Sequence, residues 1–148
     1  MTGRRALPIT NGLIGYTTFQ ILLMKILCID DDPGVLVYVK AVLTKNYEVV
    51  TANSGEDGLE TFRRQGPFPV VLSDIQMPDL SGLEVVERIH KESPQTVSML
   101  LTGQADFSIA NEALEKGHIL KVLLKPIAIT DLRDAMKICV ETAEARQS

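Results

Sequence analysis

Four short stretches of the chain hold residues suited to phosphoryl or metal chemistry. They are "IDDDP" at residues 29–33, "SDIQMPD" at 73–79, "LLTGQ" at 100–104 and "LLKP" at 123–126. Asp30, Asp31 and Asp32 stand side by side directly after an apolar run, and adjacent carboxylates repel one another and are expensive to bury. A solvated turn is the bland reading; the sharper one is that the charges collect a cation. Mg2+ is a hard ion that prefers oxygen and commonly takes one or two protein carboxylates, waters and a phosphate. Asp74 adds a carboxylate that can attack phosphorus while its second oxygen helps to hold the ion. Lys125 can neutralise a phosphoryl oxygen as a point charge, and the Thr102 hydroxyl can donate to another. Nothing matches GxxxxGK[ST] or GxGxxG, which excludes the usual nucleotide enzymes.

These residues need a scaffold that brings four distant stretches to one edge. From Lys25 onward the sequence alternates short apolar runs with segments of helical periodicity. "ILCI", "EVVTA", "VVLSD", "TVSMLLTG" and "ILKVLLKP" read as strands, continuous in apolarity, as in a parallel sheet covered on both faces. Between and after them run five amphipathic segments. Pro33 opens the first at a position where its missing N–H costs nothing, and Ser54 can cap the second. A glycine stops the fourth, and Ile129, Leu132, Met136, Cys139 and Ala143 form the stripe of the last. The result is an α/β three-layer sandwich with right-handed crossovers. A (β/α)8 barrel needs about 250 residues and is excluded by length. Open parallel sheets bind ligands beyond the carboxyl ends of their strands, where Asp30, Asp31, Asp32, Asp74, Thr102 and Lys125 all fall.

The bulk numbers agree with a single domain. The chain has 148 residues, 45% hydrophobic and 23% charged. A net charge of -4, from 15 basic and 19 acidic residues, argues against a direct nucleic-acid surface. Cys28 and Cys139 sit in apolar periodic segments without nearby ligands and read as reduced core thiols, which fits a cytoplasmic location. Residues 1–23 contain two arginines and a weakly apolar stretch interrupted by Asn11, Gly12, Thr17, Thr18 and Gln20, with no small-residue cleavage site after it. No run approaches the roughly eighteen apolar residues of a membrane span. We expect residues 1–23 to be a flexible or loosely docked extension, with Met24 a natural start for the domain at 24–146.

Taken together, the motifs resemble a response-regulator receiver domain, the phosphoacceptor half of a two-component signalling pair. The resemblance covers residues 24–146 and implies a flavodoxin-like sheet of order 2-1-3-4-5. It implies Asp74 as phosphoacceptor, with Thr102 as switch hydroxyl and Lys125 as the lysine that meets the phosphoryl group. It implies a Mg2+ site, with Mn2+ as a substitute, built from Asp31, Asp74 and the backbone carbonyl of Gln76, with Asp30 acting through water or orienting Lys125. Pro78 and Gly82 match the family's proline and glycine in the loop after the acceptor. Gln76 and Gln104 match positions that tune attacking water. The implied partners are a sensor histidine kinase or histidine phosphotransfer protein, and an output domain or downstream protein, with weak homodimerisation. The implied chemistry is self-phosphorylation and slow autodephosphorylation, not catalysis on a separate substrate.

One departure stands out. Receivers often carry Phe or Tyr three residues before the lysine, and here that position is Val122. A muted response along the fourth helix and fifth sheet strand is therefore expected. A phosphorylation-independent pseudo-receiver, or a Mg2+-dependent phosphohydrolase, are the alternatives; the first would be expected to lose its acceptor or lysine, the second to need a cap. Asp32 could equally be a solvated acid favoured by a helix dipole. Asp79 reads as a turn former beside Pro78, and His90 and His118 as ordinary surface residues. Two alternatives for the chain stay open: a single-domain relay protein, or a piece of a larger regulator whose linker begins near "ETAEARQS". The sequence leaves the Lys125–Pro126 isomer open too; a cis bond would turn the lysine into the site.

Overall fold

The computed structural model describes residues 4–10 and 17–147. Two strands, β1 (Arg4–Thr10) and β2 (Thr17–Leu23), pair antiparallel as a separate ribbon, with Arg4 opposite Leu23 and Thr10 opposite Thr17. No strands were expected there, although β-branched and aromatic residues recur in "TTFQILL". Residues 11–16, which include the Asn11 and Gly12 breakers, lie outside the described residues.

The remaining strands are β3 (Lys25–Ile29), β4 (Glu48–Ala52), β5 (Val70–Asp74), β6 (Val97–Thr102) and β7 (Lys121–Leu124). They form one parallel sheet of order β4-β3-β5-β6-β7, which is 2-1-3-4-5 counted within the sheet. The helices are α1 (Pro33–Leu43), α2 (Gly55–Gln65), α3 (Gly82–Glu92), α4 (Phe107–Glu115) and α5 (Ile129–Arg146).

Alternating side chains of each buried strand feed two different cores. Ile26 and Cys28 join Val39, Leu43, Met99, Leu132 and Met136 beneath α1 and α5. Leu27 and Ile29 join Leu59, Phe62, Val85 and Ile89 beneath α2 and α3, and Leu100, Val86, Ala110 and Ala113 extend that layer to α4. Each fully buried aliphatic side chain contributes about 1.5–3 kcal/mol relative to exposure. The three-layer arrangement therefore follows from runs apolar on both faces. Cys28 and Cys139 are both buried and free, and burial pushes the Cys139 thiol up to about 12.

The helix ends are set by local chemistry. Asp32 caps α1 by accepting from the Gly34 N–H at 2.8 Å, with Pro33 at the first position. Ser54 and Ser81 cap α2 and α3, accepting from Asp57 and Glu84 N–H groups. α4 closes at Gly117, whose φ of +79° suits glycine; the His118 N–H reaches the Ala113 carbonyl and the Gly117 N–H the Leu114 carbonyl, a Schellman ending. Among the described residues no helix is long and apolar enough to cross a membrane.

Candidate functional site

The carboxyl ends of β3, β5, β6 and β7 gather every site residue that the sequence pointed to. Asp30 continues β3 by one residue, its N–H bonded to the Ala52 carbonyl at 3.1 Å, and it is fully buried. Its Oδ1 accepts from the Asp32 N–H at 2.9 Å. That bond curls the chain so that Asp31 points outward and exposed while Asp32 turns back to cap α1. Three adjacent aspartates thus acquire three separate jobs.

Asp74 ends β5 and is buried. Lys125 follows β7 and sends its ammonium between the two buried acids, with Nζ 2.9 Å from Asp30 Oδ2 and 3.0 Å from Asp74 Oδ1. The Lys125–Pro126 bond is cis. Burial pushes the Asp74 carboxyl above its ordinary value, and the neighbouring acids Asp30 and Asp31 push the same way, while Lys125 opposes them. For Lys125, burial works against the charge, but its contacts with Asp30 and Asp74 outweigh it and the net shift is upward. The ammonium is held charged by the same acids that would otherwise repel.

Oxygens of Asp30, Asp31 and Asp74 lie within 4.8 Å of one another. Three hard oxygen donors, one on an exposed residue and two on buried ones, fit Mg2+, which binds through few carboxylates and keeps several waters. Lys125 alone cannot balance three carboxylates, so the donor set still carries excess negative charge. The site therefore matches the cation that the sequence implied.

The loop from 75 to 81 forms one wall. Its ends are pinned: the Ile75 N–H donates to the Leu101 carbonyl and the Gly82 N–H to the Ile75 carbonyl, both at 2.9 Å. Gly82 is required here, because a Cβ at that position would lie 1.8 Å from the Asp74 carbonyl oxygen. Gln76 is exposed and shares a cleft of about 620 Å3 with Asp31, Met77 and Pro78, faced across the opening by Asp106 and Ile109. Thr102 is fully buried and donates its hydroxyl to the Gly103 carbonyl at 2.8 Å, so in this state it serves its own loop. Val122 is half-buried and packs with Leu100, Ala110 and Ala113 beneath α4.

Two features escaped the sequence. Asp79 is more than a turn former: its carboxylate accepts from the Gly55 N–H at 3.1 Å and the Glu56 N–H at 2.9 Å, across 24 and 23 residues of chain. His90 and His118, read as separate surface residues, are half-buried with ring centroids 5.7 Å apart. Neither contact has a local signal, since both partners come from different elements.

A five-stranded parallel sheet with an acidic pocket and a lysine at its carboxyl edge defines a phosphoacceptor module. The chain belongs to the response regulator receiver domain family, whose sequence model matches residues 26–137. It is 32% identical over 117 residues to the transcriptional regulatory protein GlrR of Escherichia coli (strain K12), covering 78% of this chain and 26% of that protein. A response regulator receiver domain protein from Clostridium thermocellum superposes with a TM-score of 0.77 at 34% identity, covering 83% of this chain and 98% of the other. The adenylate cyclase structure from Rhodopirellula baltica gives 0.81 at 31% identity, covering 84% and 92%. The chain spans about a quarter of the length of the curated relatives it matches. Membership makes it a receiver module of two-component signalling, and its Asp30, Asp31 and Asp74 cluster is poised for Mg2+-dependent phosphorylation on aspartate.

Proposed function

We propose that Asp74 is the residue that takes the phosphoryl group, within a receiver domain spanning residues 24–146. The observation that carries this reading is the bridging ammonium of Lys125, 2.9 Å from Asp30 and 3.0 Å from Asp74, beside the exposed Asp31. One Asp74 oxygen attacks phosphorus as the bond to the donor's imidazole nitrogen or acyl oxygen breaks, and that atom leaves with the electron pair. Lys125, already against Asp74 Oδ1, follows the negative charge onto a phosphoryl oxygen. Asp31, Asp74 and the Gln76 carbonyl would hold Mg2+, which supplies charge neutralisation to the transferring group, and Asp30 keeps Lys125 in place. Thr102 releases the Gly103 carbonyl and donates to the phosphoryl group, which moves the loop after β6.

We assign the output face to α4, β7 and α5, where Phe107, Ile109, Leu124, Ile129 and Ile138 are each between 40% and 46% exposed. Val122 gives the phosphorylated state no ring contact to gain there, so the response is muted and self-association weak. The relatives named above include a transcriptional regulatory protein and an adenylate cyclase, and we take the output here to be carried by an attached domain or a separate protein. The test is phosphorylation by a small acyl phosphate, followed by intact mass. Wild type gains one phosphoryl group only with Mg2+ present; Asp74→Asn, or excess EDTA, abolishes the gain. Undiminished yield in either case refutes the assignment.

A further inference from the structure

We propose that Asp79 is a positioning residue for metal binding, a latch that fastens the loop from 75 to 81 onto the N-terminus of α2. The inference rests on the reading of the Gln76 carbonyl as a metal ligand, and it concerns how that carbonyl is held.

The first N–H groups of a helix have no partner inside the helix. In α2 three are satisfied from outside the helical ladder, and the donors divide by origin. The Asp57 N–H goes to the local cap Ser54 Oγ at 3.0 Å, whereas the Gly55 and Glu56 N–H groups go to Oδ1 and Oδ2 of Asp79 at 3.1 and 2.9 Å. Both oxygens of one carboxylate are therefore engaged, which fixes direction as well as distance. The backbone N–H bonds to Glu56 and Gly55 hold the Asp79 carboxyl below its ordinary value, Glu56 contributing most, so the acceptor stays charged at neutral pH.

Packing backs the bonds. A Cβ on Gly55 would lie 2.7 Å from Leu80 Cβ and 2.8 Å from the Leu80 carbonyl oxygen, so α2 begins in direct contact with the residue after Asp79. Met77 and Leu80 pack against the core layer beneath α2 and α3. Asp79 is three residues beyond Gln76, and the intervening Pro78 has a fixed φ. Anchoring at 79 and at Asp74 thus leaves little freedom to the carbonyl between them. Groups that orient a metal ligand commonly change affinity by about tenfold or more when removed.

The experiment compares Asp79→Ala, Asp79→Asn and Ser54→Ala in the full chain, with Mg2+ alone as the probe. Backbone amide shifts report binding, and acyl phosphate turnover at saturating Mg2+ reports the chemistry. We expect Asp79→Ala to weaken Mg2+ about tenfold and leave the maximal phosphorylation rate within about twofold of wild type. Asp79→Asn, which keeps one acceptor oxygen, falls between. Ser54→Ala removes a cap from the same helix without touching the loop, so it lowers stability and leaves Mg2+ affinity unchanged. Equal Mg2+ affinity in wild type and Asp79→Ala overturns the latch. So does an equal loss in Ser54→Ala, which would make the effect one of helix stability. If Asp79→Ala does not fold, unchanged affinity in Asp79→Asn decides against the latch. Wild type that binds no Mg2+ refutes the metal-site reading itself, a different result.

Discussion

The two loops that flank Asp74 are built in opposite ways. The loop from 75 to 81 is pinned at both ends by backbone bonds, latched by a carboxylate at its middle and pressed against a glycine on either side. The segment after β6 passes from Gly103 through a single 3-10 turn (Gln104–Asp106) into α4, and Asp106 makes no side-chain cap bond to the helix it precedes. A Cβ on Gly103 would meet nothing within 4 Å. The first loop is held in one geometry and the second has room around it. On the function proposed above, ion binding and signalling then fall on opposite sides of one cleft.

The largest test of this division is Lys125→Met, which keeps the stem and removes the charge from both sides' shared partner. Asp30 is then fully buried without a counter-ion, and we expect a loss of about 2 kcal/mol in urea unfolding without metal. That lies below the usual cost of breaking an enclosed pair, because the lysine side chain keeps 28% exposure. Mg2+ should restore part of the loss, since a cation re-enters the acidic set; an unchanged midpoint would break the electrostatic account.

Next, Asp31→Asn should raise the metal-free midpoint by about 1 kcal/mol and remove further stabilisation by Mg2+. Asp32 caps α1, so Asp32→Asn should be near neutral and Asp32→Ala should cost about 1 kcal/mol. A lower metal-free midpoint for Asp31→Asn would show that repulsion is not what the acidic turn stores.

The pH dependence is smaller. The Asp74 carboxyl is raised in the fold, so its contribution is most favourable when protonated and is lost as pH climbs from the usual carboxylate range through its raised value. Asp74→Asn should therefore match wild type in acid and exceed it in metal-free stability near neutrality. Lys125 acts with the same sign in a higher window: raised in the fold, it stabilises below the ordinary lysine value, and that contribution is lost as pH climbs through its raised value in strong alkali. Smallest of all, Phe107→Ser on the loose side should shift stability by less than about 0.5 kcal/mol and leave Mg2+ affinity alone. A loss of affinity there would show that the two loops are coupled in the resting state.

Most of the sheet and helices was legible because the apolar runs of "KILCI", "VVLSD" and "SMLL" bury both faces, and that requirement is written locally. The gathering of Asp74, Thr102 and Lys125 at one edge was legible because strand ends in such a sheet converge. Asp79 was not, because its partners lie across 24 and 23 residues and an Asp beside Pro is already explained by a turn. The ribbon at Arg4–Thr10 and Thr17–Leu23 was missed for another reason. "NG" between β-prone runs is a hairpin signal, but the same residues also interrupt an apolar stretch, so the local pattern supports two readings.

The contact between Gly82 and the Asp74 carbonyl also bears on how the domain can diverge. At residue 82 any side chain begins with an atom 1.8 Å from that oxygen, whereas at residue 103 the corresponding space is open. A saturation library read by deep sequencing after selection for signalling should therefore collapse to one letter at 82 and spread at 103. Two glycines, indistinguishable on the page of a sequence, would record opposite histories. The module can be retuned from the β6–α4 side indefinitely while its acceptor side stays closed to drift.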